Sequence, residues 1–209
     1  MGDARFLLAP NAVSTIHNAN ILTHWMSTRI LEQKEPKMRA AVICKLIAAG
    51  SRCVQLCNFN GAMQIVSSLT SSAVARLKLS WALVSPKMRD QLESLRLLVE
   101  ATGNFKRLRV AQDEAVEKKM PCLPYLGLYL TDLVYVEEMP ALLPSGAVNM
   151  GYLKSVIRVL ECVASAQAHH FFALTANPAI SEYILKHSLV CADETLLFEM
   201  SLKCEPREK

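Results

Sequence analysis

Paired thiols and paired imidazoles are the residues of this chain whose spacing could bind a metal. Cys53 and Cys57 are four residues apart, so on a helix both thiols lie on one face. A structural zinc site needs four ligands, and no neighbouring Cys or His pair supplies the other two. His169 and His170 are adjacent and would point about 100° apart on a helix. Core packing or a surface role is therefore favoured over metal binding.

A glycine spacing in the second half of the chain matches a phosphate-binding loop only in part. Four residues separate Gly146 from Gly151, but Tyr152 and Leu153 follow where such a loop needs Lys and then Ser or Thr. The acidic pair 137–138 has no partner that marks a hydrolase, and no nucleophile elbow or zincin motif is present. We predict no metal, no cofactor and no covalent chemistry.

Composition limits the class of protein. The chain has 209 residues, of which 52% are hydrophobic and 20% charged, which favours one domain with a large core. A net charge of +4 is too small to indicate nucleic-acid binding. The longest apolar stretch, 40–50, is broken by Lys45 and is too short to insert into a bilayer. Seven irregularly spaced cysteines indicate reduced, mostly buried thiols and a cytoplasmic location.

Helical periodicity dominates the elements that must position any site. Helices are predicted over 12–31, from Pro36 to about residue 57, over 86–102 with Ser85 as N-cap, over 149–167, over 178–187, and from Asp193 toward Cys204. The segment 121–136 contains too much Pro and Gly for a regular helix and can hold an extended piece. We predict a mainly α fold.

The helix predicted over 149–167 is apolar on two sides. One stripe holds Val156, Leu160 and Val163, and a second holds Val159, Cys162 and Ala166. Such a helix is either buried all round or offers its second face to a partner. The pattern alone leaves both possibilities open.

Five blocks of sequence, in order, resemble the catalytic domain of Ras-type guanine nucleotide exchange factors, the RasGEF family. The blocks are 56–69, with Asn-Phe-Asn; 73–81, with Val-Ala-Arg-Leu-Lys-Leu-Ser-Trp; 104–109, with Asn-Phe-Lys-Arg-Leu-Arg; 124–133, with Pro-Tyr-Leu-Gly-Leu-Tyr-Leu-Thr-Asp-Leu; and 201–207, with Glu-Pro-Arg. Together they cover roughly 21–207.

The resemblance implies a single helical domain over 1–209 with a protruding helical hairpin, formed by 149–167 and 178–187. It also implies an exchange factor rather than an enzyme of covalent chemistry. The hairpin would wedge open the nucleotide site of a Ras, Rap or Ral-like GTPase, and the nucleotide-free GTPase would bind best. The protein would be recruited to membranes only through its GTPase.

The resemblance also suggests site residues. The wedge would consist of Val159, Glu161 and Cys162. The GTPase-binding surface would include Asn58, Arg76, Asn104, Tyr129, Thr131, Asp132, Asn149, Met150 and Tyr152. Several of these, among them Asn58, Asn104 and Tyr129, read equally well as helix caps or buried hydrogen-bond partners.

The chain departs from the family pattern in ways that suggest a second function. The pattern's first helix and its N-terminal regulatory module are not found, Met150 replaces an aromatic residue, and Cys162 lies near the place of a frequent acidic residue. An exchange-inactive interaction module is therefore the alternative. If the wedge is correct, Val159 and Cys162 should be partly exposed, and Val156, Leu160 and Val163 buried.

Overall fold

A computed structural model describes residues 9–171, 174–188 and 192–207 of the chain. Within these ranges there are helices and no strands, which confirms the mainly α prediction. The helices are α1 (Pro10–Leu31), α2 (Pro36–Gln55), α3 (Phe59–Thr70), α4 (Ser72–Ala75), α5 (Lys78–Ala82), α6 (Pro86–Leu98), α7 (Thr102–Glu117), α8 (Leu126–Glu137), α9 (Met150–Gln167), α10 (Pro178–Ser188) and α11 (Glu194–Cys204).

Helix starts follow the local signals in the sequence. Proline opens α1, α2, α6 and α10, where its missing N–H is not needed and its fixed φ suits the first turn. Asn58, Asn149 and Asp193 cap α3, α9 and α11 by accepting hydrogen bonds from first-turn N–H groups. Ser85 precedes α6 as predicted, but its side chain makes no capping hydrogen bond.

The core is divided into a large and a small cluster. The large cluster joins α1, α2, α3, α6 and α11 around Ile30, Ile43 and Leu69, which are almost fully buried. The small cluster packs Phe59 at the start of α3 against Leu108 of α7 and Leu128 of α8. The second cluster connects the helices of the candidate site to the rest of the domain.

The proline-rich segment before α8 differs in part from its prediction. Leu123 is extended and pairs with the residues before α3: its N–H donates to Cys57 O at 2.9 Å, and its carbonyl accepts from Phe59 N at 3.0 Å. The residues from Leu126 onward form a regular helix, contrary to the prediction. The prolines end before that helix begins, so they do not break it.

A buried ion pair fastens the C-terminal end of the fold. The Arg39 guanidinium is fully buried and lies 3.4 Å from the Glu205 carboxylate. Glu205 also accepts hydrogen bonds from Leu79 N, Ser80 N and Ser80 Oγ at 2.7–3.0 Å. α2, α5 and the residue after α11 therefore meet at one carboxylate.

Two expectations about the chain's environment can be compared with the fold. All six cysteines in the described ranges are free, but only Cys57 and Cys122 are buried, so the prediction of mostly buried thiols is wrong. Cys191 lies outside the described residues. Across the residues that are described, no helix combines the length and the apolar character needed to cross a bilayer.

The Glu205 network predicts a pH-dependent stability. Burial raises the pKa of the Glu205 carboxyl, but the hydrogen bonds from Ser80, Leu79 and Arg39 outweigh it, and the net pKa lies below its ordinary value of 4.5. A lowered folded-state pKa stabilises the domain above pH 4.5, and this stabilisation is lost as the pH falls through the folded-state pKa. Glu205→Gln should therefore lower the free energy of unfolding by about 2–4 kcal/mol at pH 7.

Urea denaturation as a function of pH measures this effect. The difference between wild type and Glu205→Gln should shrink as the pH falls below 4.5, because protonated Glu resembles Gln. Glu199→Gln, on the exposed side of α11, is the matched control and should change stability by less than about 0.5 kcal/mol. A loss that is the same at every pH would contradict the role given to the ionised carboxylate.

Candidate functional site

An open cavity of about 470 Å³ lies between α7, α8 and α9. It has apolar walls, such as Val136 and Met139, and charged groups at its rim. Five of the predicted site residues line it, although they come from three separate helices: Asn104, Tyr129, Asp132, Val159 and Cys162. The cavity is therefore the candidate functional site.

One side of the cavity is organised by Arg109. Its guanidinium makes a bidentate ion pair with Asp132 of α8, with N–O distances of 2.7 and 2.8 Å. The same guanidinium donates to the backbone and side-chain oxygens of Asn104 at 2.9 and 3.2 Å. Hydrogen bonding to Asp132 raises the pKa of the Arg109 guanidinium, which is charged at neutral pH. α7 and α8 are thus joined at the mouth of the cavity.

The floor of the cavity is formed by Tyr129 and Gln112. Tyr129 is buried, and burial, followed by the proximity of Cys162, raises the pKa of its phenol, so the hydroxyl is neutral. Gln112 accepts a hydrogen bond from Tyr125 N at 2.8 Å, and its amide nitrogen lies 3.5 Å from the Tyr129 hydroxyl. The phenol is therefore held by packing more than by hydrogen bonding.

α9 buries a different stripe of side chains from the one that we predicted. Val159 is only 6% exposed, whereas Leu160 is 58% exposed. α9 packs on α8 through the stripe that contains Val159 and Ala166, and the predicted inner stripe of Val156, Leu160 and Val163 is half-buried or exposed. Both stripes are apolar, so the sequence could not show which one the neighbouring helix would cover.

Cys162 lies at the edge of that wall. It is half-buried, and burial, followed by the negative charge of Asp113, raises the pKa of its thiol. At neutral pH it is an uncharged side chain. Next to it, exposed Glu161 lines a smaller depression of about 260 Å³ together with Tyr129 and Cys162.

The other predicted contact residues lie outside the main cavity and have local roles. Asn58 and Asn149 are helix caps, with carboxamide oxygens 2.8 and 3.0 Å from Gly61 N and Gly151 N. Arg76 donates to the carbonyl and hydroxyl of Ser201 in α11. The three remaining residues are exposed Thr131, exposed Met150 and half-buried Tyr152. A GTPase-binding role for these residues stays a prediction.

Sequence reasoning missed eight of the residues that line the cavity, four of which carry charged or amide side chains. Arg109 belongs to one of the family-like blocks but was not among the predicted site residues. Gln112, Asp113 and Arg158 carry no motif, and they line the cavity only because α7, α8 and α9 border it together. Across the described ranges, no three His, Cys, Asp or Glu side chains come together as a possible metal site.

The two helices of the predicted hairpin are both present, but they pack on different neighbours. α9 packs mainly on α8, and α10 packs mainly on α1. α10 exposes Ile180, Tyr183 and Leu185. Residues 172–173 between them are outside the described residues, so the wedge stays a prediction.

Comparison with known proteins identifies the family. A RasGEF domain model matches residues 3–154 of the 209. The chain belongs to the RasGEF domain family. The family match includes α7, α8 and the first residues of α9, and it ends before Val159 and Cys162.

Several relatives carry names that describe nucleotide exchange. Ras-specific guanine nucleotide-releasing factor 2 of Danio rerio is 32% identical over 199 residues, and Ras-specific guanine nucleotide-releasing factor 1 of Homo sapiens is 31% identical. Ras guanine nucleotide exchange factor W of Dictyostelium discoideum is 34% identical over 205 residues. The alignments cover 95–97% of this chain but only 15–17% of these relatives, which are much longer proteins.

The orientation of α9 predicts a stability difference between neighbouring positions. Val159→Asp should destabilise the domain by several kcal/mol, about 2–5, because it buries an unpaired charge against α8. Leu160→Asp should change the free energy of unfolding by about 0.5 kcal/mol or less, because the side chain faces solvent. Chemical denaturation of both variants measures the difference. The reverse order would mean that α9 packs through the other stripe.

Proposed function

We propose that this domain is a guanine nucleotide exchange factor for a Ras-type small GTPase of the Ras, Rap or Ral class. Membership of the RasGEF family supports the proposal. The single observation that carries it is the cavity between α7, α8 and α9, which gathers three residues expected at the GTPase-binding surface and two expected in the wedge. The domain would act by binding and would form no covalent intermediate.

The charge distribution of the cavity favours a protein partner over a free nucleotide. A phosphate group needs uncompensated positive charge or converging N–H groups. The Arg109 guanidinium is already neutralised by Asp132, and Asp113 lines the same cavity as Arg158. Beside these charges are apolar surfaces of Tyr135 and Met139, which suit side chains of a protein.

Exchange follows from differential affinity. A factor that binds the nucleotide-free GTPase more tightly than the loaded form must weaken nucleotide binding by the same ratio. Each tenfold ratio corresponds to about 1.4 kcal/mol of differential binding energy. In this proposal α9 and α10 enter the nucleotide site, and the cavity holds the adjoining segment of the GTPase. The protein would work in the cytoplasm, reaching membranes through its GTPase and without inserting into them.

One observation favours the alternative, an interaction module without exchange activity. The family pattern places an acidic residue near Cys162, and the thiol found there is neutral because burial raises its pKa. Exposed Glu161 is adjacent, but it lines the smaller depression and not the main cavity. If exchange depends on a negative charge facing the cavity, this domain would bind a GTPase without opening it.

A fluorescent-nucleotide release assay against Ras, Rap and Ral tests the proposal. Cys162→Trp fills the cavity from its rim and should lower the exchange rate about tenfold or more, because it blocks a contact worth at least about 1.4 kcal/mol. Leu160→Trp is the matched control, with the same bulk on the exposed face of α9, and should stay within about twofold of wild type. If Leu160→Trp loses exchange and Cys162→Trp does not, the GTPase contacts the exposed face of α9 and not the cavity.

The same assay distinguishes the two functions. An interaction module would capture the GTPase equally well with and without nucleotide and would not accelerate release. Cys162→Glu would then be expected to confer exchange. A wild-type domain that accelerates release supports the exchange factor. Neither release nor capture with any of the three GTPases would contradict both functions.

A further inference from the structure

The two ends of the Asn104 carboxamide have unequal surroundings. Its Oδ1 accepts a hydrogen bond from Arg109 Nη2 at 3.2 Å, and its backbone carbonyl accepts one from Arg109 Nε at 2.9 Å. The remaining guanidinium hydrogen bonds go to both carboxylate oxygens of Asp132. Both oxygens of Asn104 are therefore bound by one side chain.

The amide nitrogen of Asn104 remains unused. A guanidinium only donates hydrogen bonds, so the oxygen of the carboxamide must face Arg109 and the nitrogen must face away from it. In residues 9–171, 174–188 and 192–207, Asn104 Nδ2 makes no hydrogen bond to another protein atom. The residue is exposed at the wall of the cavity. Its two N–H donors are thus available to a binding partner.

The backbone at this position also needs support. Gly103, Asn104 and Phe105 have φ values of 64°, 57° and 57°, which lie in the left-handed region. Non-glycine residues rarely adopt this conformation, and consecutive ones are costly. Such a conformation persists only when its surroundings hold it in place. The bond from Arg109 Nε to the Asn104 carbonyl supplies one such restraint.

We propose that Arg109 is a positioning residue that turns the amide nitrogen of Asn104 toward the GTPase. Asn104 then offers hydrogen-bond donors, and the GTPase must present an oxygen acceptor there, a carbonyl or a carboxylate. Asp132 anchors Arg109 from α8 through the bidentate ion pair. This inference rests on the proposed exchange function and specifies the chemistry of the contact.

Replacing the donor by an acceptor gives the sharpest test. In Asn104→Asp the shape is kept, one oxygen still accepts from Arg109, and Asp tolerates the left-handed backbone. The outward group becomes an oxygen that repels the acceptor on the GTPase, so the catalytic efficiency of nucleotide release should fall about tenfold or more. Thermal denaturation should show a melting temperature close to that of wild type.

A matched variant separates the outward group from the change of charge. Asn11→Asp makes the same change in the first turn of α1, which contributes nothing to the cavity, and should stay within about twofold of wild type. Exchange by Asn104→Asp at the wild-type rate would overturn the proposal.

A double-mutant cycle tests whether Arg109 acts through Asn104. Arg109→Lys keeps the positive charge but cannot bind both Asn104 oxygens and the Asp132 carboxylate at once. It should therefore lower the rate of nucleotide release several-fold in the wild-type background. In the Asn104→Ala background it should cause no further loss. The same loss in both backgrounds would show a purely structural role. Arg107→Lys controls for the Arg-to-Lys change, because Arg107 is exposed and lies two residues before Arg109 on α7.

The amide orientation can be measured without a GTPase. In NMR spectra, Arg109→Lys should move the side-chain amide signals of Asn104 toward those of a model peptide, and unchanged signals would overturn the positioning role. A folded wild type without exchange or GTPase capture would contradict the proposed function and the GTPase acceptor together. The NMR result would still decide whether Arg109 orients the amide.

Discussion

Arg39 places a full positive charge inside the core, and the packing of the domain depends on neutralising it. A buried cation is tolerated only if it is paired and its donors are used. Its partner, Glu205, comes from the far end of the chain, and Ser80 bridges the two. The guanidinium also donates to the carbonyls of Gln33 and Lys34. The first and last parts of the described chain must therefore meet before the core is complete.

The candidate site is built on a different part of the structure. α7 and α8 attach to the large core through the small cluster around Leu108 and through the extended residue Leu123, which pairs with the start of α3. α9 packs mainly on α8 and contributes only Val159 and Ala166 as buried residues. The walls of the cavity can thus vary in sequence without disturbing the packing around Arg39.

The core and the cavity each contain an arginine paired with a carboxylate, but the two ion pairs have different roles. The Arg39–Glu205 pair is removed from solvent and serves to hold helices together. The Arg109–Asp132 pair is partly exposed, with about a quarter of each side chain accessible, and leaves the cavity without a strong net charge. A surface of this kind recognises a partner by the positions of donors and apolar groups rather than by long-range attraction.

The helical class, most helix starts and the family could be predicted from the amino-acid sequence. Proline and side-chain caps act within one turn, so Pro36, Pro86, Asn149 and Asp193 could be read locally, and α2, α6, α9 and α11 begin as predicted. The helix that begins at Leu126 was not predicted, because Pro121 and Pro124 made the whole segment 121–136 look irregular. Both prolines lie before the helix and do not interrupt it.

The covered face of α9 and the set of residues that share the cavity depend on how the helices pack, and no local sequence pattern specifies them. Val159 and Leu160 are both apolar, and burial depends on where α8 lies, which no local pattern encodes. Gln112, Tyr129 and Arg158 line one cavity because α7, α8 and α9 come together there. Arg109 shows the same limit: its charge is visible in the sequence, but its partners, Asp132 and the oxygens of Asn104, are fixed only when α7 and α8 come together.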